Sequence, residues 1–467
     1  MRQSPVTFLF TLCLLLASGV AISAQTLRIV HPFTNWIYGP DGAQPTSGLV
    51  LSGNTLYGNT SAGGNGAGIM FSVNTDGGEY SILHTNTDSA DNLQPSPFLI
   101  VGDELFATSQ QGGSNFEGTV FEMTLTGSEV PLHVFGYEGS APVAGLMLAG
   151  DKLYGTTMFG GSNNSGTIFA IATNSSDFSV IYNFSEPEYY SATNFDGDAP
   201  TAALVSLGKT LYGTASNGGT SAEGTIFSIQ TDGSGFTTLH SFTGGAGGAS
   251  PRARLTVVGD QLFGTTILGG TNGAGTVFCI KTNGTGFTVL HSFARLNGSG
   301  WDGAHPQTGL LLVGDMLYGV TPDGGLYGGG TIYALSTNGS SFITLHHFSG
   351  LSDGVGSQCD LTYSRGAFYG TLFQGPSAWP GGCVFALMMQ PTIRNFAFSS
   401  GGVSMLASPC LAGQSYVLLT TTNMASPLNN WTPIVTNVPT STGDLLITAT
   451  NGTRSLSGAR CFRLLVE

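Results

Sequence analysis

Three chemistries are conceivable from the residue types in this chain: metal ligation by histidine, hydrolysis by paired carboxylates, and recognition of a polar ligand by aromatic rings beside acids. Six of the eight histidines, His31, His84, His133, His240, His291 and His346, recur at one position of a repeated pattern, five of them two residues ahead of a Phe. Such regular spacing places them one per structural unit, whereas a metal site needs its ligands gathered around one ion. A packing or hydrogen-bonding role is expected, with no metal and no cofactor. The acid pair in Asp196-Gly197-Asp198 falls short of the six to eight oxygens that calcium takes, so it is read as a turn. Hydrolysis of a glycoside needs two carboxylates facing one cleft. The apolar runs Leu49-Val50-Leu51, Leu146-Met147-Leu148 and Leu310-Leu311-Leu312 carry none, and Asp360, with Arg252 and Arg254, is the exception. No catalytic residue is assigned.

The third chemistry has more behind it. Trp36, Tyr38, Tyr189, Tyr190, Trp301 and Trp379 fall in long variable segments together with Asp196, Asp198, Asp302 and Asp353. Rings stack on sugar faces and carboxylates accept hydroxyl hydrogen bonds, so these ten residues are the candidate ligand-binding set. The expected partner is a glycan or a surface protein.

What must position those residues is legible in a repeat. Leu56-Tyr57-Gly58 returns as Leu105-Phe106-Ala107, Leu153-Tyr154-Gly155, Leu211-Tyr212-Gly213, Leu262-Phe263-Gly264, Leu317-Tyr318-Gly319 and Phe368-Tyr369-Gly370, at spacings of 48–58 residues. A period near 50 residues built from short apolar runs indicates a β-propeller, and seven copies indicate seven blades. In the fifth copy, Leu255 to Val258, Leu262 to Thr266, Gly275 to Ile280 and Phe287 to Phe293 read as four antiparallel strands, turned at Gly259-Asp260 and Asn283-Gly284. The seventh copy has only three such runs, and Leu27 to Phe33 is an isolated fourth-strand pattern. The N-terminal strand is therefore expected to complete blade seven and remove the open edge.

These repeats resemble the GloVer (Gloeo/Verruco-type) tandem repeats of secreted bacterial proteins, on Leu-Tyr-Gly-Thr-Thr, the Gly-Gly doublet, Gly-Thr-Val-Phe and Leu-His-Ser-Phe as they stand in residues 262–293. The resemblance implies export and a propeller-like fold, and brings no established activity.

Composition bounds the rest. With 13 basic and 27 acidic residues the net charge is −14, the wrong sign for a nucleic-acid partner. Arg2, the apolar run Val6 to Ala21 and the small residues Ala21-Ile22-Ser23-Ala24 read as a signal peptide over residues 1–24. The expected product is secreted or held in the cell envelope, with no membrane span after cleavage. Residues 25–389 are assigned to the propeller. Residues 390–467 hold about six strand-like runs, read as a small β-sandwich of immunoglobulin-like or fibronectin-like type. In an exported chain disulfides are the default, with Cys410 and Cys461 the candidate pair and Cys279 the candidate free thiol. The residues favour a non-catalytic binding or interaction protein. A carbohydrate-active hydrolase or lyase using the loop acids is the alternative, and a structural envelope component a third.

Overall fold

The structure is a computed structural model that describes residues 26–34, 39–86, 93–175, 177–294, 301–389, 392–399, 402–410, 415–421, 432–439, 443–450 and 461–466. The expected signal peptide and the candidate residues Trp36 and Tyr38 lie outside the described residues.

Each repeat folds as a four-stranded antiparallel blade, and seven blades form a ring, as the repeat predicts. In the fifth, Thr256–Val258, Gln261–Thr266, Thr276–Lys281 and Thr288–Ser292 pair in chain order from the axis outward. The second and third strands are buried on both faces because a neighbouring blade covers each side. All seven outer strands carry a register shift immediately before the recurrent His or Tyr position, as between Ile29 and His31 or Val277 and Phe278. The extra residue twists the strand locally and re-aims the side chain that follows it.

The ring closes as expected. Thr26–Pro32 is the outer strand of blade seven, with Leu27 opposite Leu387 and Ile29 opposite Phe385. Leu27 and Ile29 pack on the core between blades six and seven, while Val30 and Phe33 join the next core, around Phe71 of blade one. The Arg28 guanidinium donates to the backbone carbonyls of Thr75 and Asp76, at 2.6 Å each, and so ties the two ends of the ring together.

Blades are also joined by hydrogen bonds from the residue after Leu-Tyr-Gly. The Thr108 hydroxyl lies 2.8 Å from the carbonyls of Pro142 and Ala144 in the next blade, and Asn59 donates to Ser96 at 3.0 Å. Thr156, Thr214, Thr265 and Thr371 make the corresponding bonds to Ala202, Ala253, Thr308 and Ser47. Blade six has Val320 there, so the bond reinforces the ring without being required in every blade. Thr108→Val is expected to lower stability by about 1 kcal/mol, read from urea unfolding. A loss above about 3 kcal/mol would mean that the hydroxyl does more than join two blades.

Cys279 is a free thiol, as expected. Cys279, Cys359 and Cys383 are buried free thiols inside blades. They stand at positions where most other copies have small residues or Thr, Ile69 and Glu122 being the exceptions: Cys383 Sγ lies 3.9 Å from the Asp353 carbonyl, as Thr331 Oγ1 lies 3.1 Å from that of Asp302. Cys410 is buried in its strand, and the side chain of Cys461 lies outside the described residues.

Beyond the ring are two three-stranded sheets. Gly402–Cys410 lies between Thr392–Ser399 and Gly443–Thr450, and Tyr416–Thr421 between Thr432–Asn437 and Cys461–Val466. Burial pushes the Tyr318 phenol up, and Tyr363, Asp315 and Tyr416 add to the shift.

Candidate ligand-binding face

One end of the ring holds the short turns, such as Gly102-Asp103, Gly150-Asp151 and Asp232-Gly233. The other end collects the connections between blades and the glycine-rich loops between second and third strands. These segments are stitched to one another: Ala43 bridges Ala62, Ser140 bridges Phe159, Asp198 bridges Asn217, Ala249 bridges Leu268, Ala304 bridges Asp323 and Val355 bridges Gln374. In blade two a short strand, Leu93–Pro95, pairs with Gln111 and Ser109 instead. The connections form a firm platform, the frame on which binding residues are usually displayed.

The acids of these connections serve that platform. Asp302 Oδ1 accepts the Ala294 N–H at 3.0 Å and its Oδ2 lies 2.8 Å from His291 Nε2. Asp353 repeats the arrangement with Ser349 and His346, and Asp196 with Ser185 and the Tyr182 hydroxyl. Glu138 takes Gly136 and His133, and Asp41 takes Thr34. Each acid clamps the backbone just past the outer strand. The glycine after it is needed because the backbone turns back against the blade. Gly303 has φ +111°, and a Cβ there would sit 2.3 Å from Thr321 Oγ1.

The candidate acids are thus placed at the expected end but engaged within the protein. Asp196 and Asp353 are each only 6% exposed. At Asp353, burial opposes ionisation, and the hydrogen bonds from His346 and Ser349 still draw the carboxyl below its usual range. Burial raises Asp198 despite hydrogen bonds from Ala199, Asn217 and Ser165. The signal for this clamp was in the sequence as an acid-Gly dipeptide in five connections: Asp41-Gly42, Glu138-Gly139, Asp196-Gly197, Asp302-Gly303 and Asp353-Gly354.

The recurrent histidines pack between blades. His31 stacks on Tyr80, His133 on Phe178, His240 on Phe287 and His291 on Phe342, at ring separations of 3.5–3.9 Å. Tyr182 takes the same place against Phe236. Among the described residues no group of three His, Cys, Asp or Glu could hold a metal ion. Burial lowers the imidazoles of His133 and His240, and brings His31 down to about 4. A folded pKa below the unfolded value of about 6.5 means that neutral imidazole supports the fold above that pH. The contribution is lost as pH falls toward 4. The melting temperature is therefore expected to drop between pH 6.5 and 4, and less steeply in His31→Gln. Equal slopes in the two proteins would contradict this.

Exposed aromatic rings have a different distribution. Among the described residues nine are exposed: Phe116, Tyr137, Phe159, Tyr189, Tyr190, Phe195, Trp301, Tyr327 and Trp379. All nine lie on the connections and loops of the variable end. Tyr137 and Tyr190 are 99% and 98% exposed, and Trp301 is 62% exposed. Tyr189 and Tyr190 meet edge to face, 5.1 Å between centroids. Of the predicted residues, Tyr189, Tyr190, Trp301 and Trp379 are thus displayed as expected, and Phe116, Tyr137, Phe159, Phe195 and Tyr327 join them.

At the axis, the residue before the first Leu (Phe98 in blade two) of each inner segment is Gly48, Pro97, Gly145, Ala203, Arg254, Gly309 or Asp360. Arg254 Nε reaches Asp360 Oδ2 at 3.3 Å across blade six, and Asp360 Oδ1 accepts the Gly309 N–H at 2.7 Å. The charges at the axis are therefore an ion pair within the ring.

The repeat identity follows from comparison with known families. The profile of the Gloeobacter/Verrucomicrobia repeat matches residues 19–194 and again 188–378. The chain belongs to this family. No curated protein matches it. Among solved structures, an oligogalacturonate lyase in complex with manganese is 10% identical, with 78% of this chain and 90% of that one covered and a TM-score of 0.46. A nidogen/laminin complex is 14% identical over 57% of this chain and 84% of that one, TM-score 0.36. TolB from Acinetobacter baumannii is 17% identical over 59% of each chain, TM-score 0.37. Family membership agrees with the repeat residues and with seven blades. Among the described residues no helix is long and apolar enough to cross a membrane.

Proposed function

We propose that this protein is an exported binding protein that takes a carbohydrate on the variable end of its propeller. The observation that carries the reading is that the nine exposed aromatic rings among the described residues all lie at that end. Exposed rings lose free energy in water and regain it by stacking, and a sugar's C–H faces suit them. Tyr189, Tyr190, Trp301 and Trp379 are the contact residues, with Tyr137 and Tyr327 added. The acids needed by a hydrolase are hydrogen-bonded in connector clamps, which favours binding over hydrolysis. Export is proposed from Arg2, the apolar run Val6 to Ala21 and the small residues ending at Ala24.

A glycan array probed with the mature chain tests the reading. Trp301→Ala is expected to weaken the best ligand by about 2 kcal/mol, roughly thirtyfold, with an unchanged melting temperature. Full-strength binding by Trp301→Ala together with Tyr189→Ala/Tyr190→Ala would contradict it, as would shortened oligosaccharide products.

A further inference from the structure

The cationic residues of the chain are segregated between the two ends of the ring. All three lysines, Lys152, Lys209 and Lys281, stand beside the short turns, as do Arg28 and Arg365. There they meet acceptors: Lys152 Nζ lies 2.5 Å from Asp177 Oδ2, and Arg28 donates to the Asp76 carbonyl. The connections and glycine-rich loops of the variable end hold no lysine, and their arginines are Arg252, Arg254 and Arg295. Arg254 is engaged by Asp360. Residues 35–38, 87–92 and 295–300 lie outside the described residues, and in sequence they add Asp88, Asp91 and Arg295.

The exposed rings of the variable end stand among acids that the clamps do not use. Glu117 follows Phe116, and Glu186 and Glu188 precede Tyr189 and Tyr190; all three acids are exposed. Glu188 Oε2 lies 3.3 Å from the Ser191 hydroxyl. Asp323, four residues ahead of Tyr327, has a 60% exposed side chain with one oxygen 3.0 Å from His305 Nδ1. The apolar surface of this end is thus set in negative charge, and a ligand must complement both.

An acidic glycan would meet like charge along the face. A neutral one would stack on the rings and gain nothing from the acids. A sugar ring bearing an ammonium group suits both features: its C–H face stacks, and its charge lies over a ring or beside a carboxylate. One exposed ion pair contributes little. Several along one chain add up, and the rings, from Phe116 in blade two to Trp379 in blade seven, are spread widely enough to meet several units.

We infer that the ligand of this face is a cationic glycan, a chain of amino sugars with free ammonium groups. This deepens the carbohydrate reading above and rests on it.

The test is calorimetry on the mature chain with oligosaccharides of equal length: a glucosamine oligomer, its N-acetylated form and a galacturonate oligomer. Oligolysine serves as the cationic peptide. The glucosamine oligomer is expected to bind about tenfold more tightly than its N-acetylated form at low salt, with the advantage shrinking as salt is added. Glu117→Gln and the double variant Glu186→Gln/Glu188→Gln should each narrow that advantage at an unchanged melting temperature. Trp301→Ala should weaken both oligomers. Equal or tighter binding of the N-acetylated or galacturonate oligomer overturns the cationic assignment and leaves the carbohydrate reading standing. An advantage that persists undiminished in the Gln variants overturns it as well. Oligolysine binding as tightly as the glucosamine oligomer overturns it in favour of a basic polypeptide partner. No binding by these oligosaccharides or on the glycan array overturns both readings.

Discussion

Removing residues 26–33 is expected to abolish cooperative folding of the ring. Blade seven would be left with three strands, exposing the edge of Cys383–Met388 and the cores that receive Leu27, Ile29, Val30 and Phe33. The bonds from Arg28 to blade one would go as well. Blades hide their apolar faces only on one another, so opening one junction unseals two. The expected loss is comparable with the whole stability of a domain, about 5–15 kcal/mol. Loss of a sharp calorimetric transition, or of soluble protein, is the predicted result. A truncated chain melting within a few degrees of the intact one would refute closure by this strand.

The second large effect is expected from Gly155→Val. The backbone of Gly155 is not in the left-handed region, so space is what demands glycine there. A Cβ would lie 2.4 Å from Phe169 Cζ and 3.0 Å from Leu146 Cδ2. Phe169 is completely buried and stacks on Phe178, which in turn stacks on His133. The ring cannot retreat without disturbing the junction of blades two and three. Overpacking of this kind is expected to lower unfolding free energy by about 3 kcal/mol in urea. Blade two, with Ala107 at the equivalent position, shows that one methyl is accommodated where the neighbours differ, so Gly155→Ala should cost less than Gly155→Val. The reverse order would show that the aromatic ring does not impose the glycine.

How much could be read beforehand differs by level. The blades were legible because each strand repeats the same alternation of apolar and turn residues, and because Leu27 to Phe33 had the pattern of a strand whose partners were missing. The side of the ring that carries the aromatics followed from which connections vary in length. The roles of the acids did not. The clamp acid lies 5 residues after His133, 7 after His346, 11 after His291 and 14 after Tyr182, so no fixed spacing announces it. What is constant is the place of its carboxylate in space, set by the bulge and by the glycine that follows. Trp301 and Tyr190 were identifiable as aromatic residues in loops, but their exposure is a property of the folded platform.

Hydrogen–deuterium exchange on the mature protein, with and without its best array ligand, tests the central claim most directly. Protection is predicted in residues 137–140, 186–199, 301–305 and 325–328, with no change at the turns 102–103, 150–151 and 232–233. Protection concentrated at those turns, or in the sheets of residues 392–466, would place the ligand on the wrong end of the ring and contradict the account.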